Sequence, residues 1–418
     1  MTKRQSRKIA RVWQRFGFLF GVVVIAGVSV ATWWSARDET MRPDDPPVGL
    51  TQSGADVNFV GTARCAECHP DRASDYRTTG HSRTFQVMED SPIPSRLDGK
   101  RYVDPIRKTE LEYRKEGAGL AVRIPEVLGD DPFPLQYVFG SGQHAFTFLT
   151  LIPGPGGEAI GLEHRVSLFS ATASDRTVIP GGALGLTPGQ KNYRINEEVD
   201  HFGHIVSGGT LRNCIRCHTT TGEIRGGEVI NLMPNVGCES CHGPGSRHAE
   251  GMSRKHSSAP AALPRSVRKP GQMFTAKWSA LDEIRMCGEC HRMPEDISSD
   301  RISPYHPSTI RFQPIGLLKS RCYLESDKNL SCSGCHNPHL HSSSQSRSDY
   351  ESKCISCHSA IGQKKGTSCP VSSQKNCIEC HMSAVEIHPG VFFHDHWIRV
   401  RDGQTGVVGR VESDNADN

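Results

Sequence analysis

The pentapeptide Cys-x-x-Cys-His recurs along this 418-residue chain, and it constrains the fold more than any other feature of the sequence. At the observed cysteine and histidine frequencies, chance would produce about 0.03 copies. The chain contains seven copies: Cys65-Cys68-His69, Cys214-Cys217-His218, Cys238-Cys241-His242, Cys287-Cys290-His291, Cys332-Cys335-His336, Cys354-Cys357-His358 and Cys377-Cys380-His381. Two thiols three positions apart can each bond one vinyl group of a porphyrin, and the next histidine can bind its iron.

Paired cysteines also occur in zinc sites and in redox-active dithiols. Zinc sites of four cysteines, or of two cysteines and two histidines, do not need a histidine directly after the second cysteine, yet it follows in all seven copies. A thioredoxin-like dithiol would occur once, after a strand. The sequence therefore predicts seven covalent haem c groups, with the motif cysteines as attachment points and the motif histidines as proximal iron ligands.

The spacing of the motifs indicates how the haems are distributed. Three of the gaps between successive first cysteines are only 22 to 24 residues long, so those haems must touch or nearly touch, and electrons can hop between them. The haems also supply the apolar core that a chain with 36% hydrophobic residues lacks. The first gap, 149 residues long, contains alternating runs such as LAVRI between Gly and Pro turns, which predict a β-rich insertion between the first and second motifs.

The N-terminal residues are typical of an exported protein. Six basic residues precede an uncharged apolar run at 17–34, which at about 1.5 Å per residue is long enough to span a bilayer. The basic side should stay in the cytoplasm, which places the rest of the chain on the exported, periplasmic side. The alternative is a signal peptide cleaved at a small-x-small site at Ser29 and Ala31. Without the six basic residues the formal charge of +4 becomes −2, so there is no basic surface for nucleic acid.

These observations divide the chain into six segments. They are a transmembrane anchor or signal peptide at 1–37, a polar linker at 38–58, a first haem-binding segment at 59–100, the β-rich insertion at 101–200, a six-haem region at 201–400 and a polar tail at 401–418.

Two cysteines, Cys322 and Cys369, lie outside the motifs. In an exported protein such a pair usually forms a disulfide, and two free buried thiols are the alternative.

Thirteen histidines lie outside the motifs, and each is a candidate for the sixth iron position. A second imidazole gives a closed, low-spin iron suited to electron transfer, whereas an empty position lets a substrate bind. Local sequence favours four distal ligands: His81, His248, His339 and His396. Three further candidates have weaker support: His144, His204 and His306.

The extended motifs resemble those of multihaem c-type cytochromes related to cytochrome c554. The resemblance covers about residues 58–400 and is carried by GTARCAECHPDRASDYRTTGHS, GCESCHGPGSRH, SRCYLESDKNLSCSGCHNPH and CIECHMS. It implies a mainly α-helical, loop-rich fold wrapped around closely packed haems, and it implies a periplasmic electron carrier. In that family, axial or near-haem histidines occupy the positions of His81, His248, His339 and His396. The carrier that names the family holds four haems, so the seven motifs and the β-rich insertion are departures from its pattern.

The leading functional prediction is a membrane-anchored, periplasmic heptahaem cytochrome c that passes electrons from quinol-linked or periplasmic donors to an acceptor protein. The alternative is a multihaem oxidoreductase that acts on a small nitrogen or sulfur compound, of the hydroxylamine or nitrite type, at a five-coordinate haem. Two features weigh against the enzyme. Every motif ends in His, whereas pentahaem nitrite reductases commonly place Lys at the catalytic haem. Hydroxylamine oxidoreductases crosslink a late Tyr to theirs, and no Tyr follows Tyr350. No catalytic residue is assigned from the sequence.

Overall fold

The computed structural model describes residues 58–154, 158–253, 279–358, 369–372 and 374–400. The predicted membrane segment at 17–34 and the predicted tail at 401–418 lie outside these residues. Within the described ranges, no helix is both long enough and apolar enough to cross a membrane.

Antiparallel strands form a large part of the described chain. In chain order they are β1 Phe85–Val87, β2 Arg101–Val103, β3 Glu110–Glu116, β4 Gly119–Ile124, β5 Gly129–Leu135, β6 Tyr137–Phe139, β7 Ala145–Pro153, β8 Ala159–His164, β9 Val166–Phe169, β10 Thr177–Ile179, β11 Gly182–Leu186, β12 Gly203–Val206, β13 Thr219–Arg225, β14 Glu228–Pro234, β15 Ala384–His388 and β16 Val391–His394. An eight-stranded sheet has the order β1-β6-β7-β9-β11-β10, with β8 paired to β7 and β12. The strands β2-β3-β4-β5 form a second sheet, and β13-β14 and β15-β16 are separate hairpins.

The helices are short, and most of them precede or follow the part of the chain that forms the two larger sheets. They are α1 Gly61–Ala66, α2 Pro70–Arg77, α3 Ile93–Leu97, α4 Pro125–Leu128, α5 Gly208–His218, α6 Cys238–His242, α7 Ser246–Ser253, α8 Ala280–His291, α9 Pro307–Arg311, α10 Gln313–Lys319, α11 Arg321–Glu325, α12 Arg347–His358 and α13 Cys377–His381.

The predicted mainly α-helical fold is wrong. The described residues combine short helices with several antiparallel sheets, and the β-rich region is larger than the insertion expected at 101–200, since β1 precedes it and β12 follows it. The physical reason is that the first 149-residue gap contains no haem attachment site. The chain must build its own apolar core there, and alternating strands do so.

The eight-stranded sheet packs against the helix that carries the second haem motif. Phe85, Phe139 and Leu149 of the sheet lie in one buried cluster with Leu211 and Ile215 of α5. Helix and strand approach so closely that a Cβ added at Gly161 of β8 would meet the Leu211 side chain at 2.6 Å. The sheet therefore supports this motif directly.

A fully buried ion pair joins the two larger sheets. Asp104, in the turn after β2, pairs with Arg165, which lies between β8 and β9. Asp104 also accepts hydrogen bonds from the backbone N–H groups of Ile106 at 2.8 Å and Arg107 at 3.0 Å. Burial alone would raise the pKa of Asp104, but the hydrogen bond from Arg165 and the two from backbone N–H groups hold it below its usual value.

Candidate functional site

Each haem motif lies in a helical turn. Five of them occupy a helix end or a single-turn helix, in α5, α6, α8, α12 and α13. The first begins in α1, and His69 caps the start of α2. The fifth lies outside a helix, yet a bond of 2.8 Å from His336 N–H to the Cys332 carbonyl closes a helical turn there. Residues three apart lie on one face of such a turn, so each pair of thiols can reach one porphyrin.

Four proximal histidines face a second histidine ring, and the four partners are the distal ligands that local sequence favoured. His69 and His248 have ring centroids 6.3 Å apart, His81 and His291 6.2 Å, His242 and His339 6.0 Å, and His336 and His396 6.2 Å. Each pair joins residues that are far apart in the sequence. In the tertiary fold the rings of His248, His81, His339 and His396 therefore lie opposite the first, fourth, third and fifth motifs, respectively.

These ring separations fit an iron ion between each pair. A metal–imidazole bond of about 2.0 Å, with about 1.1 Å from the bonded nitrogen to the ring centroid, separates two opposite rings by about 6.2 Å. Directly stacked rings would approach more closely, at about 4.5 Å. The separations observed for His69 with His248, and for His81 with His291, match the first arrangement.

Hydrogen bonds at Nδ1 leave Nε2 of several histidines free to bind a metal. His218 Nδ1 lies 3.2 Å from the Thr84 carbonyl, His291 Nδ1 lies 3.2 Å from Gln313 Oε1, and His381 Nδ1 lies 2.8 Å from the Arg399 carbonyl. The distal His396 has the same arrangement, with its Nδ1 2.9 Å from the His394 carbonyl. An acceptor at Nδ1 places the ring proton there and directs the lone pair of Nε2 outward.

Desolvation lowers the pKa of His81 to about 4 and also lowers that of His291. Both rings are therefore neutral at pH 7, which is the form in which imidazole binds a metal. Near the first motif, a cavity of about 290 Å³ is lined by Cys68, His69, Pro70, Asp71, Arg72 and Asp75.

One nitrogen of the Arg399 guanidinium also fits a haem group. The Nη2 atom of Arg399 is buried and has no hydrogen-bond partner among the described residues. The same residue supplies the carbonyl next to His381, so its guanidinium lies in the region of the haem motifs, where a propionate could accept from it. The ring pairs and this donor atom fit haem.

The three weaker distal candidates do not face a proximal histidine among the described residues. His144 packs on Phe393 with ring centroids 5.0 Å apart, and His204 packs on Tyr193 at 4.5 Å. His306 Nδ1 accepts a hydrogen bond of 3.1 Å from Ser308 N–H. The neutral ring of His306 therefore carries its proton on Nε2, which is unsuited to bind iron.

The second motif differs from the four paired ones. Within the described ranges, no histidine ring faces His218 across a gap. Instead the edge of Phe139 packs on it, with ring centroids 5.1 Å apart. Buried surroundings lower the pKa of His218 to about 4.

Thiols of different motifs lie against one another. Electrostatic interactions between thiols link the first motif to the third, the second to the fourth, the fourth to the fifth and the sixth to the seventh; the pairs are Cys65 with Cys238, Cys217 with Cys290, Cys287 with Cys332 and Cys354 with Cys377. Electrostatic interactions also join Cys241 to Cys287 and Cys335 to Cys354, and these link the third motif to the fourth and the fifth to the sixth. The seven motifs therefore form one continuous group.

Sequence reasoning missed a buried carboxylate that joins the first motif to the third. Glu239 lies inside the third motif and is only 2% exposed. Its two oxygens accept hydrogen bonds from Val60 N–H at 2.9 Å, Gly61 N–H at 2.7 Å and Gly245 N–H at 2.7 Å. An acidic residue between the two cysteines was a visible signal, but its partners are 178 and 179 residues away along the chain.

The two cysteines outside the motifs are free thiols in the structure, and no disulfide joins them. Cys322 interacts electrostatically with Cys357 and Cys335, and Cys369 does so with Cys377. The pairing of Cys322 with Cys369 stays a prediction.

These features fit the covalent haem attachment of a c-type cytochrome. Residues 190–243, which contain the second and third motifs, match the family described as cytochrome c554 and c-prime. That match supports a multihaem electron-transfer cytochrome with haem c. No curated protein matches the chain.

One solved structure, the crystal structure of the outer cell wall cytochrome OcwA, is similar with 16% sequence identity and a TM-score of 0.35. The likeness covers 78% of this chain and 62% of that one, so the chain spans less than two thirds of its length.

Proposed function

We propose that this protein is a heptahaem cytochrome c of the periplasm that carries electrons between redox partner proteins and is tethered to the cytoplasmic membrane by residues 17–34. The observation that carries the proposal is the set of four histidine pairs, each with a proximal ring about 6 Å from a distal ring. Two imidazoles close an iron to substrate and keep it low-spin in both oxidation states, which favours fast electron transfer.

The contacts between motifs support a path through the protein. The first motif touches the third, the third lies near the fourth, and the fourth leads through the fifth and sixth to the seventh. The second motif joins this path as a branch at the fourth, through Cys217 and Cys290. Haems attached to neighbouring thiols lie close enough for electrons to hop.

The exposure of the thiols suggests where electrons enter and leave. Among the motif cysteines, Cys68 of the first motif and Cys357 of the sixth are exposed, and the rest are partly covered. The first motif also follows the proposed membrane tether. We infer that a quinol-linked donor delivers electrons near Cys68 and that an acceptor protein collects them near Cys357.

The surroundings of the second motif favour a further candidate function. This function is the reduction or oxidation of a small nitrogen or sulfur compound. The proximal histidine of this motif, His218, faces no histidine ring within the described ranges. An iron with a free sixth position binds small ligands. In this case the other six haems would deliver or remove electrons for the second.

The test is a haem count combined with EPR on the full-length protein. Pyridine haemochrome analysis of denatured protein should give seven haems per chain, and low-temperature EPR should show at least six low-spin irons. Colour removed by acid–acetone, or zinc in place of iron, would refute haem attachment. If the wild-type protein binds nitrite or hydroxylamine stoichiometrically and turns it over, the electron-carrier assignment is refuted and the enzyme assignment takes its place.

A further inference from the structure

The segment 395–399, which we call the C-terminal strap, reaches two haem motifs at once. The ring of His396 faces His336 of the fifth motif at 6.2 Å. Three residues later, the carbonyl of Arg399 lies 2.8 Å from Nδ1 of His381, the proximal histidine of the seventh motif. A shift of the strap would therefore alter the surroundings of both irons.

A buried carboxylate holds the strap in its shape. Asp395 is fully buried, and its Oδ1 accepts a hydrogen bond of 2.8 Å from Trp397 N–H. Its Oδ2 lies 2.8 Å from Nη1 of Arg399, which also donates to the Trp397 carbonyl at 2.6 Å. These bonds close a turn around His396, and Tyr305 covers the Arg399 guanidinium at 4.5 Å from its ring centroid.

The strap lies on helix α10 with no space between them. Gly316 of this helix has no side chain, and a Cβ there would lie 2.6 Å from Trp397 N and 2.8 Å from the carbonyl carbon of His396. The glycine is therefore required for the close approach of the strap and not for the conformation of the helix.

The β-rich region holds the turn of the hairpin that precedes the strap. The hairpin β15-β16 leads directly into it, and Arg176 of the insertion donates hydrogen bonds to the Pro389 carbonyl in the hairpin turn and to the Ala171 carbonyl at 2.6 Å. The same guanidinium lies 3.5 Å from the ring centroid of Phe169. That ring stacks on His388 of the hairpin at 5.4 Å.

We propose that the β-rich insertion and the C-terminal strap form one positioning device, which sets the axial ligand of the fifth haem and the hydrogen bond of the seventh proximal histidine together. The proposal rests on haem attachment at these two motifs, as argued above. Two groups of the strap would act directly: His396 on the iron of the fifth haem and the Arg399 carbonyl on His381. Their positions depend on three positioning residues, which are Arg176, Asp395 and Gly316. The insertion thus tunes haems that lie more than 150 residues away in the sequence.

The sharpest test is Gly316→Ala in the full-length protein. Alanine favours the helix, so the variant displaces the strap while α10 stays intact. We expect all seven haems to remain, one low-spin EPR signal to become partly high-spin, and carbon monoxide binding at that haem to increase, because carbon monoxide competes with His396 for the sixth position. The potential of a second haem should rise as well, because His381 loses its acceptor. Lys319→Ala, exposed on the same helix, is the control and should change nothing.

A second variant tests the contribution of the insertion. Arg176→Ala should reproduce the spectral change at the same haem, identified by comparison with His396→Ala, and Arg176→Lys should restore part of the signal. Arg101→Ala removes an exposed arginine from the same region and is its control. Wild-type spectra for both Gly316→Ala and Arg176→Ala would overturn the proposal. A count of fewer than seven haems in the wild-type protein would instead refute the proposed function, so the two failures are distinguishable.

Discussion

Replacing His81 by alanine should remove a low-spin EPR signal of a distinctive kind. The rings of His81 and His291 are nearly perpendicular, at 78°, whereas the other three pairs lie at 15°, 5° and 29°. Each imidazole donates π density to the iron orbital perpendicular to its own plane. Parallel rings split the two orbitals and give a rhombic signal, while perpendicular rings leave them nearly equal and give a signal with a large maximum g value.

The expected change in EPR intensity follows from the number of histidine pairs. The four described pairs should give three rhombic signals and one signal with a large maximum g value. In His81→Ala the last of these should disappear, and a high-spin signal of the same intensity, one spin per chain, should replace it. One equivalent of carbon monoxide should bind to the reduced variant. Covalent haem content should stay unchanged, because the thioether bonds and His291 still hold the haem.

The control is His204→Ala, because the His204 ring packs on Tyr193 and not on a proximal histidine. It should leave every EPR signal as in the wild type. If His81→Ala removes a rhombic signal, or if it leaves all low-spin signals intact, the assignment of His81 to the fourth haem is refuted.

Three further predictions concern folding. If Cys322 and Cys369 form a disulfide, alkylation without reductant should label neither cysteine. Complete labelling of both, detected by mass spectrometry, would contradict the disulfide. Asp104→Ala should lower the free energy of unfolding by about 3 to 5 kcal/mol, measured by urea titration, because it leaves Arg165 buried without its partner. Burial lowers the pKa of His164 to about 3, so stability should be constant above pH 6.5 and fall between pH 6.5 and 3 by up to about 1.4 kcal/mol per unit. His164→Leu should flatten that fall, and an unchanged slope would show that other groups cause it.

The sequence by itself predicts the covalent chemistry. The seven motifs predict attachment points and proximal ligands, because cysteines and histidine within five residues need only one helical turn to come together. The strands of the β-rich insertion could also be predicted, since alternation and turn residues are local signals. The balance of helix and strand could not, because the mainly α-helical expectation came from a resemblance that is carried by the haem motifs, and these do not specify the strands between them.

The tertiary structure decided which histidine faces which motif. His81 follows the first motif in the sequence by only 12 positions, yet its ring faces His291 of the fourth, and the first motif receives its partner from His248. A distal ligand must lie on the far face of the porphyrin, and a short segment that already attaches the haem on one side cannot easily reach the other. Opposite faces are therefore filled by distant parts of the chain, and only the packed fold brings them together.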